Sequence, residues 1–247
     1  MTAGPQAEAA RGRGLVSRAI SAAGAWLLEP AEAGPGLVED APQTPRPVIA
    51  VFGLARACGG TVVARALAAE LAARDTSGTA AVACEARAAG IPLATRAASA
   101  LARALDSGPA VATRAVGRLC LVEGPDQIAL ADSSRRLAPL VLDAGSRSLG
   151  GVPASVADRT VLVTTPEVEP ALSRVAVECL VRTGVEPTLV INRVRGAPLE
   201  SDDEAMSAAP CALALPDARM GAQLALGGRE ARGELGRAIS DLADYMR

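Results

Sequence analysis

The chain contains no lysine and no histidine, and only one phenylalanine, one tyrosine and one tryptophan among its 247 residues. Each absence removes a class of chemistry. Without histidine there is no imidazole to act as general base or metal ligand, which excludes histidine-based triads and most zinc enzymes. Without lysine every cationic side chain is an arginine, a bias that points to a GC-rich genome and also bars a lysine from any phosphate-binding loop. With so few aromatics the core has to be built from Ala, Val and Leu, as when Ala-rich helices pack on Val/Leu strands.

No apolar run reaches the length that spans a bilayer, and the N-terminus lacks a basic region followed by a long apolar stretch. Neither export nor a transmembrane segment is expected. The five cysteines, Cys58, Cys84, Cys120, Cys179 and Cys211, are scattered, odd in number and free of any C-x-x-C pair. That pattern reads as buried reduced thiols in a cytoplasmic protein. The formal net charge of -2 comes from nearly balanced signs without a basic stripe, so direct binding of nucleic acid is not expected.

What is present divides in two. Residues 1–46 read as a tail: a helix from Gly14 to Leu28, then a Pro/Gly/Glu-rich linker too poor in apolar residues to fold and held extended by its prolines. The helix places Leu15, Val16, Ala19, Ile20, Trp26 and Leu27 roughly along one face. It can serve as a membrane-surface or partner-docking element, or simply pack back on the domain or stay disordered. Residues 47–247 are long enough for one sizeable domain.

From Pro47 short apolar runs alternate with Ala/Leu-rich helical segments. Strands are expected at Val48 to Gly53, Thr79 to Cys84, Arg118 to Glu123, Pro139 to Asp143, Thr160 to Thr164, Pro187 to Asn192 and Cys211 to Leu215. Between them lie an amphipathic helix over Thr61 to Arg74 and helices across Pro92 to Leu105, Pro125 to Leu137 and Pro170 to Arg182. Two more helices, from about Arg219 and from Glu230, close the chain. Such alternation predicts an α/β fold: a mostly parallel sheet with helices on both faces and the site at the carboxyl ends of the strands. That edge collects Gly53 to Gly60, Asp143 to Ser146, Thr164 to Pro166, Asn192, and Pro216 to Asp217.

The loop G-L-A-R-A-C-G-G-T-V-V-A, Gly53 to Ala64, joins the first strand to its helix, where glycines let backbone N–H groups converge on an anion beside a helix N-terminus. Thr61 can offer its hydroxyl to Mg²⁺ or cap the helix. Gly-rich strand–helix turns are common in α/β proteins, so the loop alone leaves phosphate binding open. V-L-D-A-G, Val141 to Gly145, ends a strand in Asp143, a carboxylate that either holds a metal through water or caps the following turn. Cys58 precedes a helix, yet no base or resolving cysteine stands near it in sequence.

A-D-R-T-V-L-V-T-T-P-E, Ala157 to Glu167, closely resembles a segment of the MinD/ParA family of P-loop ATPases. L-V-I-N-R-V, Leu189 to Val194, resembles that family's strand whose Asn reads the adenine edge. A-L-A-L-P-D, Ala212 to Asp217, resembles the late strand and proline beside the base. With Val141 to Gly145 as a Walker B strand, four segments stand in family order over about Val48 to Arg247. The resemblance implies ATP or ADP with Mg²⁺ held by Arg56, Cys58, Gly59, Gly60, Thr61, Val62, Asn192 and Pro216, the metal by Thr61 and Asp143.

The departures fall on the chemistry. Laid on the family's K-G-G-x-G-K-T-T, the deviant Walker A pattern, the loop puts Ala55 at the signature lysine, Gly60 at the P-loop lysine, and Thr61 and Val62 at the Thr pair. Both lysines are gone, and with them the charge that stabilises the transferred phosphoryl group. Arg56 is either a partial substitute or a solvated loop arginine. Glu85 and Arg87 stand where the family has a D-x-D. The pattern is most similar to the CpaE/TadZ-like localisation proteins of Flp (Tad) pilus systems, whose loop reads G-x-G-A-[ST]-T-x-A. Gly59, Gly60, Thr61, Val62 and Ala64 take those places, Gly60 as the small residue in the lysine's stead, and Val62 for Thr is a further departure. The resemblance implies a pseudo-ATPase adaptor that dimerises across its nucleotide face. It implies protein partners in an envelope-associated or pilus assembly and peripheral contact with the inner membrane through the tail. The alternative is a slow ATPase of the partitioning or cell-division type.

Overall fold

The computed structural model describes residues 45–84, 93–106, 112–123, 127–146, 149, 151–196, 206–209 and 211–246. The expected tail helix, most of the linker, and Glu85 and Arg87 lie outside the described residues.

Eight strands form one sheet: β1 (Val48–Gly53), β2 (Ala80–Ala83), β3 (Ala112–Val116), β4 (Leu119–Glu123), β5 (Leu140–Gly145), β6 (Arg159–Thr164), β7 (Pro187–Val194) and β8 (Ala212–Pro216). Their order across the sheet is β3-β4-β2-β5-β1-β6-β7-β8. Every pairing is parallel except β3 with β4, an antiparallel edge hairpin. The helices are α1 (Gly60–Arg74), α2 (Arg96–Asp106), α3 (Gln127–Leu137), α4 (Gly151–Val156), α5 (Pro170–Arg182), α6 (Arg219–Leu226) and α7 (Gly233–Tyr245). A single 3₁₀ turn at Met206–Ala208 precedes β8.

Strand alternation divides the core into two layers. On β1, Ile49 and Val51 face the layer made with α1, α6 and α7, while Val48, Ala50 and Phe52 face the layer made with α2 to α5. Both faces of β1 are therefore covered, which is why it reads as a continuous apolar run. The expected fold class is the one observed.

Helix α1 departs from the amphipathic reading, since ten of its fifteen residues are buried. Alanines at 64, 66, 68, 69 and 72 leave room for the sheet on one side and α6 and α7 on the other, so the helix is enclosed. Asp158, in the A-D pair before β6, is structural: its Oδ2 accepts from Val48 N at 2.8 Å and from Arg135 Nη1 at 2.8 Å. Among the described residues no helix is long and apolar enough to cross a membrane.

Candidate functional site

The loop from Gly53 to Gly60 leaves the carboxyl end of β1 and is closed by its own backbone. Leu54 N donates to Val163 O on β6 at 2.8 Å, and Cys58 N reaches Ala55 O at 3.4 Å. Two residues take positive φ, Ala57 at 60° and Gly59 at 89°. Glycine accepts that conformation freely, whereas an alanine there stores roughly 1–3 kcal/mol of strain.

Cys58 is buried, and its Sγ lies so close to the chain that a Cβ on Gly53 would stand 2.8 Å from it. Asn192, from β7, reaches across to the loop, and its Nδ2 donates to Cys58 O at 2.9 Å. A side chain at Gly59 would run into that same amide. The residue expected to read a base edge thus also fastens the loop.

Gly60, Thr61 and Val62 precede the first intrahelical bond of α1, Val63 N to Gly59 O at 3.0 Å, and no side chain caps the helix. Three N–H groups at the positive end of a fifteen-residue helix are thereby left to bind an anion. These backbone donors stand without a cationic side chain at Gly60. Arg56 is exposed on the loop.

Thr61 is half-buried at the second residue of α1. Asp143 is half-buried near the end of β5, where its Oδ1 accepts from Gly145 N at 3.3 Å, the turn-capping role. Among the described residues no group of three or more His, Cys, Asp or Glu is placed to hold a metal. Thr61 and Asp143 would therefore hold Mg²⁺ only together with water and phosphate oxygens, the arrangement magnesium favours.

Gly59, Val62, Asn192 and Pro216 line one cavity of about 290 Å³. Sequence reasoning placed Asp217 at this edge but missed the arginines of its charged rim, Arg193, Arg195 and Arg219. Arg193 has a φ of 64°, within a register shift of β7 against β8 that re-aims the strand end. Arg195 Nε pairs with Asp217 Oδ2 at 2.6 Å. Glu167 stands nearby, its carboxyl held below the usual range first by the Thr165 hydroxyl and further by Arg195 and Arg193. The R-V-R and D-A-R spellings flanking Asn192 and Pro216 were the available signal. Cys58, Gly60, Thr61, Arg56 and Asp143 do not line this cavity.

A second omission is Arg65, buried one turn inside α1. Its Nη1 donates to Leu226 O at 3.1 Å, and its Nε has no partner. The guanidinium also hydrogen-bonds the Cys84 thiol at the end of β2. Burial pushes that thiol up, the Arg65 charge pulls it down, and the Asp143 charge raises it. Beside the loop, Leu54, Ala55, Leu149, Leu172, Val175 and Cys179 border an apolar groove of about 640 Å³. Cys179 is exposed and Cys211 half-buried, so only three of the five thiols meet the expectation of burial. Cys179 falls on the outer face of α5, whose inner face carries Ala176, Val177 and Leu180.

No protein-family model matches the chain, and no curated protein matches it in sequence. Its fold does match solved structures. A ParA family ATPase from Chlorobium tepidum TLS superposes over 83% of this chain and 100% of its own, at 15% identity and a TM-score of 0.58. A chain of the MinC:MinD cell division protein complex of Aquifex aeolicus matches over 81% of this chain and 95% of its own, at 16% identity and 0.55. An ATP complex of a single-residue variant of McdA from Cyanothece matches over 82% and 96%, at 12% identity and 0.54. The fold of this domain is therefore that of the ParA and MinD P-loop ATPases.

Proposed function

We propose that the domain is a degenerate ATPase that works by binding rather than turnover, as a localisation or assembly adaptor. The carrying observation is Gly60: three uncapped N–H groups of α1 remain for an anion, but no side-chain cation stands at the position of the P-loop lysine. A positive charge against the β/γ-phosphates is worth on the order of 10³-fold or more in rate. Its loss removes turnover before it removes binding, because the backbone donors are independent of it. The ligand in this reading is ATP or ADP, the base between Asn192 and Pro216, with Mg²⁺ on Thr61 and Asp143.

The adaptor acts as a homodimer across the nucleotide face, in the cytoplasm and at the periphery of the inner membrane. Residues 1–46 form the tail that meets protein or lipid. An envelope-associated assembly of the Flp/Tad pilus type is the apparatus that the loop spelling favours. The competing reading, a slow ATPase of the partitioning or cell-division type, is supported by the retained Thr61 and Asp143.

Calorimetric titration of the full chain with ATP and Mg²⁺, with turnover assayed on the same sample, tests this. Binding without turnover is the expected result, and clear turnover overturns the proposal in favour of the slow ATPase. If the nucleotide gates dimerisation, Thr61→Ala and Asp143→Ala each abolish its ATP dependence.

A further inference from the structure

A third cavity, of about 450 Å³, lies where the start of α2, the β3–β4 turn and the α6–α7 loop meet. Because Gly117 and Arg118 lead into β4, which runs parallel to β2, this is the amino-terminal edge of the sheet, opposite the phosphate loop. Its walls are built from backbone. Thr95 N donates to Gly117 O at 2.8 Å, and Arg118 N donates to Gly228 O at 2.8 Å. Gly117 and Gly228 have φ of 55° and 67°. Their backbones touch, so that a Cβ on Gly117 would stand 2.7 Å from Gly227 O and one on Gly228 would run into the Val116 carbonyl. Segments pinned this way hold their side chains on a rigid frame.

That frame carries an excess of positive charge. Arg118, Arg229 and Arg232 line the cavity against one carboxylate, Glu230, which pairs with Arg118 Nε at 2.9 Å. Arg229 and Arg232 are exposed and have no ion-pair partner among the described residues. The thirteen-residue helix α7 follows Arg232, its extended N-cap, and its first turn, which carries Glu234, lies outside the cavity lining. Guanidinium forks pair with carboxylate and phosphate oxygens alike, and a multiply charged phosphate suits two or more of them at once.

We propose that this cavity is an anion site, separate from the phosphate loop, that takes a phosphorylated small molecule. Its concavity and volume fit a compact ligand, and a duplex or a bilayer would need a broader basic face than the balanced charge of the chain supplies. Arg229 and Arg232 supply the ionic contacts.

The probes are inorganic phosphate and pyrophosphate, titrated into the full chain at low salt. Heat and ¹⁵N–¹H amide shifts are followed together. Saturable binding of pyrophosphate is expected, with shifts at Gly117, Gly228 and Arg229 that do not require shifts at Gly59 to Thr61. The pair Arg229→Ala/Arg232→Ala should weaken it by about tenfold or more. The pair Arg174→Ala/Arg182→Ala, which removes the same charge from α5, should leave it unchanged. Circular dichroism confirms the fold of each variant. Absence of saturable binding overturns the proposal, as does equal weakening by both pairs or shifts confined to the phosphate loop. Capture by anionic phospholipid vesicles without binding of soluble pyrophosphate overturns the small-molecule assignment.

Discussion

The Asn192 amide holds the Gly53 to Gly60 loop in place through one hydrogen bond to the Cys58 carbonyl, in a buried setting where water cannot replace it. Removing one partner of a buried hydrogen bond costs about 1–3 kcal/mol. Asn192→Ala should therefore loosen the loop, and the buried Cys58 thiol reports it. In the native protein a thiol reagent should label exposed Cys179 first. Burial protects Cys84 and Cys120, and it pushes the Cys120 thiol up to about 12. The Asn192→Ala variant should bring Cys58 into the fast class, and an unchanged labelling order would refute the clasp. Arg65 gives the opposite expectation. Its orphaned Nε already carries a desolvation cost, and exchange of a buried charge for an apolar side chain of similar length is often neutral or favourable. Arg65→Met should hold or raise the urea midpoint, whereas Arg65→Ala, which leaves a cavity, should lower stability by about 2–5 kcal/mol.

Elements meet through glycine at the β3–β4 turn, and two glycines of similar conformation separate backbone strain from packing. Gly78 and Gly228 have φ of 64° and 67°, but a Cβ on Gly78 meets nothing within 4 Å while one on Gly228 meets the Val116 carbonyl. Gly78→Ala should cost only the left-handed conformation, about 1–2 kcal/mol. Gly228→Ala must also separate two backbones, and a loss above about 4 kcal/mol is expected by urea unfolding. Equal losses would place the whole effect in φ. The same hairpin shows where the elements were legible. Both-face-buried strands such as β1 and β6 announce themselves as apolar runs, and α5 begins at Pro170 and ends at Arg182 as its pattern reads. Strand β3 did not, because A-T-R-A-V carries little apolar signal and is held by cross-strand pairing at a sheet edge. Helix α1 was placed to within a residue but its environment was misread. An Ala-rich helix looks the same on the page whether one face or most of its circumference is covered.

At the scale of the whole molecule, alternation predicted a mostly parallel sheet with its site at the carboxyl ends of the strands, and that sheet brings Gly59 and Val62 to one cavity with the distant Asn192 and Pro216. What pattern could not supply was the arginine rim of that cavity and the buried Arg65, since only packing decides whether an arginine meets water, a carboxylate or a thiol. The lack of histidine has a global consequence for stability. No side chain with an ordinary pKa between the carboxylates and the thiols exists, so folded and unfolded chains take up nearly equal numbers of protons there, and the slope of stability with pH vanishes. Below that window Glu167, held down by Thr165, Arg195 and Arg193, stays ionised after its unfolded counterpart has bound a proton. Its contribution is present above the unfolded value and is lost as pH falls through the folded one. Above the window the sign reverses. Cys84 and Cys120 are raised from 9.0 in the folded chain, so the unfolded chain ionises first and stability falls as pH rises beyond that value. Urea midpoints measured under reducing conditions should therefore be flat from about pH 6 to 8 and decline on both sides. Cys120→Ala should flatten the alkaline limb relative to wild type at a cost in midpoint, and an alkaline limb as steep as that of the wild type would show that the buried thiols do not set it.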